Sequence, residues 1–191
     1  MRRSECLQGV YPELADCVVV TIMGAVAAEL YALGHRPNFF YLEHAMGLAS
    51  SLGLGIALAR PTRRVVVLDG DGSLLMNLGA LTTLARYRPP NLTHVVFDNE
   101  CLLSTVGGLP TATAAGADLA AIARGAGIRH ARTVHTTDEF GAAFRAALAA
   151  RELTCLVAKV EPVGPSDYHL DLHLLENRFA FARALGGAAG A

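Results

Sequence analysis

A short apolar run that leads into two glycines and an aspartate constrains the fold of this chain more than any other feature. Residues 65–68 read Val-Val-Val-Leu, which is typical of a strand buried on both faces of a parallel sheet. The run continues through Asp69 into Gly70, Asp71, Gly72 and Ser73, where the glycines permit a tight turn and close approach of a ligand. Leucines then recur at helical spacing up to Leu84. We therefore expect Asp71 at the carboxyl end of a strand and just before one helix, where open α/β sheets bind ligands and phosphate.

A second apolar run, residues 93–97, predicts a strand that ends at Asp98 and Asn99. Because the carboxyl ends of parallel strands meet at one edge of a sheet, the amide oxygen of Asn99 is expected near Asp71. Carboxylate and amide oxygens are hard ligands, which suit a Mg²⁺ ion that carries a phosphorylated cofactor. The two runs together predict such a site.

These two segments resemble the motif of thiamine-diphosphate enzymes. The resemblance covers residues 17–161 and is strongest to the diphosphate-binding half of the sulfopyruvate and phosphonopyruvate decarboxylase family. It implies thiamine diphosphate and Mg²⁺ as cofactors, with Asp71, Asn99 and the Cys101 backbone carbonyl as metal ligands. The cofactor-binding residues that it implies at the two segments are Gly70, Asp71, Gly72, Ser73, Asn99 and Cys101.

The resemblance also places a second turn, around Gly24, against the diphosphate. Family members carry a Thr-Gly pair and then a Ser at this turn, whereas this chain has Met23 and Ala27 in place of the two hydroxyl residues. Diphosphate binding would therefore depend on backbone N–H groups, such as those of Gly72 and Ser73, and on the Ser73 hydroxyl.

Met46 and His44 are the two catalytic positions that the resemblance implies. Met46 would hold the cofactor in its bent shape, and the backbone carbonyl of His44 would accept a hydrogen bond from the aminopyrimidine. Both would also be cofactor-binding residues. Met46 could alternatively be an ordinary core residue, because methionine often fills gaps. The His44 side chain, where the family usually has Gly, either points away as a structural imidazole or reaches the substrate.

A loop at residues 102–111 is expected to lie over the site. The family carries Ser/Thr-Gly-Gly-Gln-Pro-Thr here, and this chain keeps the two glycines and Pro-Thr but has Leu109 in place of Gln. It also has leucines at positions 102 and 103, so the substrate pocket is expected to differ from that of the family. Three hydroxyls either contact substrate or only cap a surface loop: Ser104, Thr105 and Thr111.

Strands and helices alternate along the chain, which predicts a doubly wound parallel sheet with helices on both faces. Further strands are predicted at residues 17–22, 130–134 and 153–160, and further helices at 25–33, 48–60, 118–126, 137–148 and 172–185. We expect one cofactor-binding domain over residues 1–191, in which 162–191 form a linker and a last helix.

Composition excludes several classes of protein. A hydrophobic content of 52% with 17% charged residues excludes disorder and predicts surface buried against a partner. The net charge of −1 favours neither nucleic acid nor an acidic membrane surface as a partner. No apolar run approaches the roughly 18–20 residues of a membrane span. The first residues do not read as a signal peptide, and the four cysteines show no paired spacing. A cytoplasmic protein is expected.

The resemblance implies half of a split thiamine-diphosphate-dependent 2-oxo acid decarboxylase. All motifs belong to the diphosphate half, so a separate pyrimidine-binding subunit would supply the activating glutamate, in an α2β2 or larger assembly. The substrate would be a small 2-oxo acid, and the family implies a second anionic group that the altered loop leaves open. Two alternatives remain at this point: a subunit of an acetolactate-synthase-like carboligase, and a non-catalytic regulatory subunit.

Overall fold

A parallel six-stranded sheet forms the centre of the protein, which is seen in a computed structural model that describes residues 1–103 and 108–186. The order of the strands in this sheet is β2-β1-β3-β4-β8-β7, and every neighbouring pair is parallel. A short antiparallel pair, β5 and β6, lies outside it. The strands are β1 (Cys17–Ile22), β2 (Phe39–Leu42), β3 (Arg64–Gly70), β4 (Leu92–Asp98), β5 (Cys101–Leu102), β6 (Leu109–Pro110), β7 (His130–Val134) and β8 (Thr154–Lys159). The predicted doubly wound sheet is confirmed.

Helices occupy most of the connections between the strands. They are α1 (Arg3–Val10), α2 (Ala25–Ala32), α3 (Ala49–Ala59), α4 (Asp71–Leu75), α5 (Gly79–Tyr87), α6 (Leu119–Gly125), α7 (Thr137–Ala150) and α8 (Leu174–Gly186), with short 3₁₀ helices at Glu13–Asp16 and Ala112–Ala115. The bounds of α2, α3, α6, α7 and α8 agree with the predicted ranges to within two residues.

The interior residues of the central strands are buried, as the apolar runs predicted. Every residue of β1 and of β4 is buried. Helix α3 lies directly on β3, because a Cβ atom added at Gly53 would stand 2.2 Å from Cγ2 of Val67. This close packing requires glycine at position 53.

The single helix predicted beyond Ser73 is wrong, because the structure divides it into α4 and α5. Residues 76–78 form a turn in which Met76 N donates to Ser73 O and Asn77 N donates to Leu74 O, so the bonds span three residues instead of four. The Asn77 side chain donates from Nδ2 to Gly47 O over 2.9 Å, which ties this turn to a neighbouring loop. Asp71 is consequently the first residue of a short helix instead of the residue before a long one.

Helix α1 was not predicted from the sequence. Its buried face consists of Arg3, Cys6, Leu7 and Val10, and it contacts α2 and α7. An arginine on the inward face obscures the apolar periodicity by which an amphipathic helix is recognised. Only the partner of that arginine, described below, explains its burial.

Helix α8 covers the edge strand β2. Asn177 donates from Nδ2 to Phe39 O over 2.9 Å, and the Phe181 ring lies 5.1 Å from that of Phe40 between centroids. The chain after β8 therefore returns to the opposite edge of the sheet. No helix among residues 1–103 and 108–186 is long and apolar enough to cross a lipid bilayer.

Candidate functional site

A cleft opens at the carboxyl ends of β1, β3 and β4, as the strand–turn pattern predicted. Turns that follow these strands form much of its walls, together with β5 and residues from α1 and the segment after β8. Nearly all the predicted site residues line it: Gly24, Met46, Gly70, Asp71, Gly72, Ser73, Asn99 and Cys101.

The Asp71 carboxylate is held in place by two threonine hydroxyls. Asp71 is 3% exposed, and Thr111 Oγ1 donates to its Oδ2 over 2.6 Å. Thr113 Oγ1 lies 3.2 Å from the same oxygen and donates to Asp98 Oδ1 over 2.7 Å. No side chain in the described parts of the chain donates to Asp71 Oδ1. The two threonine hydroxyls therefore orient the Asp71 carboxylate through Oδ2, and the Gly72 backbone is a further hydrogen-bond partner of this carboxylate.

The electrostatic environment of Asp71 favours a bound cation. Burial raises the pKa of Asp71 above its ordinary value, and the nearby Asp98 carboxylate acts in the same direction, against the hydrogen bond from Thr111. A carboxylate that is costly to ionise gains the most from a cation that neutralises it. This is the environment expected of a metal ligand.

Asp98 is neutralised from the other side by Lys159, the only lysine of the chain. Lys159 Nζ donates to Asp98 Oδ2 over 3.0 Å and also contacts Glu100 Oε1. These two carboxylates raise the pKa of Lys159 against the effect of its partial burial. Asp98 therefore acts as a support for the turn after β4, while Asp71 is the carboxylate that faces the cleft.

The turn after β4 presents Asn99 and the Cys101 backbone to the cleft. Asn99 is 7% exposed, and its Oδ1 accepts a hydrogen bond from Cys101 N over 3.1 Å. Glu100 has a φ of 60°, a left-handed conformation that is uncommon for a residue other than glycine. Its N–H donates to Asp98 Oδ1 over 3.2 Å, which stabilises the conformation. Among the described residues, no group of three or more His, Cys, Asp or Glu is arranged to hold a metal. A Mg²⁺ ion here would depend on mixed oxygen donors.

The glycines of the cleft leave backbone open to a ligand. Gly24 has a φ of 79° and Gly70 is extended, and a Cβ added at either would meet nothing within 4 Å. At Gly72 the same atom would stand 2.4 Å from Cδ2 of Leu102, so this position admits only glycine while Leu102 remains there. Exposed backbone beside a carboxylate, an amide and a carbonyl oxygen fits a Mg²⁺–diphosphate group.

Met46 reaches the cleft because the following glycine is fixed against α4. Gly47 has a φ of 82°, its N–H donates to Ser73 Oγ over 3.0 Å, and its carbonyl accepts from Asn77. Met46 is half-buried, packs against the hydrophobic core and lines the cleft that Asp71 and Gly72 also line. This position is compatible with the predicted contact to a cofactor.

The His44 side chain does not join these residues. It is exposed, and it is not among the described residues that line the cleft. The backbone has a φ of 55°, and the His44 N–H donates to Met23 Sδ over 3.1 Å. Of the two alternatives for this side chain, the geometry favours the imidazole that points away, and the role of its backbone carbonyl stays a prediction.

The segment that follows β4 contributes to the site in a way that the sequence did not predict. Thr111, which was expected either to contact substrate or to cap a surface loop, is buried against Asp71 instead. Thr113 and Lys159 were missed altogether, although a Thr-x-Thr pair and a single lysine were visible signals. Leu102 and Leu103 line the cleft, while Leu109 is 55% exposed. Ser104 and Thr105 lie outside the described residues.

Comparison with known proteins agrees with this geometry. Residues 20–158 match the family model of the thiamine pyrophosphate enzyme C-terminal TPP binding domain. The chain therefore belongs to the thiamine pyrophosphate enzymes and contains their C-terminal cofactor-binding domain. The resemblance inferred from the two motif segments is confirmed.

Three curated relatives are decarboxylases or subunits of decarboxylases. The sulfopyruvate decarboxylase subunit beta of Methanothermobacter thermautotrophicus is 47% identical over 105 residues, which cover 55% of this chain and 56% of the relative. The subunit beta of Methanocaldococcus jannaschii is 35% identical over 88% of each chain. The phosphonopyruvate decarboxylase of Streptomyces viridochromogenes is 42% identical over 77% of this chain but only 36% of the relative. This chain thus matches about a third of the longer enzyme.

Solved structures support the fold alone, because their sequences are distant. Benzoylformate decarboxylase from Polynucleobacter necessarius superposes with a TM-score of 0.71 at 22% identity, over 86% of this chain and 34% of the other. The 4-hydroxybenzoylformate decarboxylase of Rhodococcus jostii gives a TM-score of 0.70 at 23% identity, over 84% of this chain and 33% of the other. Both likenesses cover about one third of a longer chain.

Proposed function

We propose that this chain is the diphosphate-binding subunit of a split thiamine-diphosphate-dependent 2-oxo acid decarboxylase. The observation that carries the proposal is the Asp71 carboxylate, which lines one cleft with Asn99 and exposed glycine backbone, in a chain that matches a subunit beta over most of both lengths. The relatives named sulfopyruvate and phosphonopyruvate decarboxylase favour decarboxylation over the carboligase and regulatory alternatives.

The residues of the cleft have separate parts in holding the cofactor. Asp71 Oδ1, the Asn99 side-chain oxygen and the Cys101 carbonyl would bind Mg²⁺. Gly72 and Ser73 would donate backbone N–H groups to the diphosphate, and the backbone at Gly24 would approach it from the other wall. Thiamine diphosphate supplies, when bound, the electron sink that loss of CO₂ from a 2-oxo acid requires.

The remaining residues would orient the cofactor. Met46 would press on it from the Gly47 loop, which the Ser73 hydroxyl and Asn77 hold in place. The backbone carbonyl of His44 would accept the hydrogen bond of the aminopyrimidine. Leu102 and Leu103 would exclude water on the side of the substrate.

A separate pyrimidine-binding subunit would complete the site. Two large apolar side chains stand exposed near the cleft: Leu48 is 49% exposed next to Gly47, and Met76 is 59% exposed at the end of α4. An added Cβ at Gly47 would lie 3.4 Å from Cβ of Met76, so this apolar surface adjoins the loop that carries Met46. A partner that covers it could supply the activating glutamate, in an α2β2 or larger cytoplasmic assembly.

The test is turnover with and without a partner chain. The purified chain with Mg²⁺ and thiamine diphosphate is assayed for CO₂ release from sulfopyruvate, phosphonopyruvate and simple 2-oxo acids. We expect cofactor binding without turnover, and turnover once a pyrimidine-binding subunit is added. An aldehyde as the only organic product would identify a decarboxylase, whereas a hydroxyketone would identify a carboligase. Fast turnover by this chain alone would overturn the split-enzyme proposal.

A further inference from the structure

Arg3 is the one cationic side chain among the described residues that line the cleft. Its side chain is only 3% exposed and enters the cleft from α1, the helix that the sequence did not predict. Arg3 Nε donates to Glu29 Oε2 over 2.8 Å, and Nη2 donates to Glu29 Oε1 over 2.9 Å and to Val163 O over 3.1 Å. The plane of the guanidinium is fixed by these three bonds.

The bonds leave part of the guanidinium unused. An arginine has five N–H donors, and both of those on Nη1 lack an acceptor among residues 1–103 and 108–186. Nη1 is not among the fully buried polar atoms that lack a partner, so its two donors are available to water or a ligand. Arg3 lines the cleft and Glu29 does not, so the cation stands at the wall with its carboxylate partner farther from the opening. If Arg3 served only to join α1 to α2, its guanidinium would not need to line the cleft.

Arg3 belongs to the wall of the cleft that residues 22–26 form. Glu29 lies on α2 one turn after Ala25, and residues 22–26 line the cleft together with Arg3. These five residues are Ile, Met, Gly, Ala and Val, which have no strong side-chain hydrogen-bond donor. Asp71 stands in the same cleft as a negative charge. An anionic ligand on the α2 side would therefore find the guanidinium of Arg3, which is charged and already oriented, while the Tyr168 hydroxyl is a neutral donor in the lining of the same cleft.

We propose that Arg3, oriented by Glu29, binds the terminal phosphate of the diphosphate in this cleft. Guanidinium N–H groups in a fixed plane match phosphate oxygens in geometry and charge. Mg²⁺ and Arg3 would then neutralise the diphosphate together, Mg²⁺ from the Asp71 side and Arg3 from the α2 side. The inference rests on the proposed function, because it assumes that a diphosphate occupies the cleft. Arg3 would be the binding residue, and E29Q would keep one side-chain oxygen that accepts a hydrogen bond from its guanidinium.

The experiment measures binding of Mg²⁺–pyrophosphate and of thiamine diphosphate to the full chain by titration calorimetry, without substrate. Four proteins make up a double-mutant cycle: wild type, R3Q, E29Q and the double variant R3Q/E29Q. The double variant leaves no unpaired buried charge, so it tests the proposal even if R3Q, which leaves Glu29 unpaired, fails to fold. D71N serves as the reference for the metal side of the site.

We expect R3Q and R3Q/E29Q to bind both ligands at least about tenfold more weakly than wild type, since a hydrogen bond to a charged group is lost. E29Q, which keeps the cation, should bind within about threefold of wild type or more tightly. Thiamine monophosphate, which lacks the terminal phosphate, should show little difference between wild type and the double variant.

Four results would decide against the inference. If the folded double variant binds pyrophosphate as wild type does while D71N does not, Arg3 is only a structural tie and the proposed function stands. If E29Q loses as much affinity as R3Q, the effect comes from disturbed packing of α1 on α2. If wild type binds neither ligand with Mg²⁺, both the inference and the proposed function fail. Weakened binding of a phosphonate or sulfonate substrate with unchanged pyrophosphate binding would assign Arg3 to the substrate instead and refute the proposal.

Discussion

Replacement of Asp71 by Asn should change stability in opposite directions with and without cofactor. In the protein alone, the carboxylate is buried, lies near Asp98 and has a raised pKa. A group whose pKa is raised on folding loses stability as pH rises through that range, so at neutral pH the ionised Asp71 is a cost. Asn is isosteric, and its side-chain oxygen can still accept the hydrogen bond from Thr111. We therefore expect D71N to be at least as stable as wild type when no ligand is present.

With cofactor the order should reverse. Ligand at a hundredfold excess over its Kd stabilises the folded chain by about 2.7 kcal/mol. For a chain of this length, about 2–4 °C of Tm corresponds to each kcal/mol, so wild type should gain about 5–11 °C. Asp71 is the only carboxylate among the described residues that line the cleft, so D71N should lose most of this gain.

Differential scanning fluorimetry with and without Mg²⁺ and thiamine diphosphate measures both effects. D98N is the matched control, because Asp98 is equally buried but is paired with Lys159 and does not line the cleft. D98N should be less stable than wild type and keep most of the cofactor shift. The reasoning is refuted if D71N keeps the full cofactor shift, or if D98N loses it while D71N does not.

Two further predictions concern Met46, which would press on the cofactor, and Glu139, which caps α7. M46A should bind cofactor within a few fold of wild type but turn over more slowly in the assembled enzyme. The variant should be less stable than wild type by about 2 kcal/mol or less, because Met46 is only partly buried. Wild-type turnover in a folded variant would show that Met46 is an ordinary core residue. Glu139 accepts hydrogen bonds from the backbone N–H groups of His135 and Thr136, which hold its pKa below the ordinary value. The stabilisation is present above about pH 4.3 and is lost as pH falls through the lowered pKa. E139Q, which keeps the capping geometry, should therefore lose less Tm than wild type on acidification from pH 6 to pH 3, and equal losses would contradict this.

Local sequence was sufficient for most of the elements and for the location of the cleft. Buried parallel strands are continuous apolar runs, and such runs at β1, β3, β4 and β8 were recognisable without any neighbour. Polar residues at the ends of two of these strands then had to meet at one sheet edge, because parallel strands end on the same side. Asp71, Asn99 and the glycines around them were found for this reason.

Contacts between distant segments were decided only by the tertiary structure. Arg3 and Glu29 read as unrelated charges, yet they form a buried pair because α1 and α2 pack side by side. Thr111 and Thr113 follow a loop of no regular pattern, and only the return of that loop over α4 brings their hydroxyls to Asp71.

The same distinction explains the two errors in the helices. Apolar spacing carries through residues 74–84 without interruption, so the local pattern predicted one continuous helix, which the structure divides into two. The Asn77 side chain breaks it by a hydrogen bond to Gly47, thirty residues earlier in the chain. Helix α1 was missed because its inward arginine is favourable only once Glu29 is opposite. Sequence periodicity shows which residues prefer burial. A polar residue can be buried only when a partner lies opposite, and tertiary packing decides which residue that partner is.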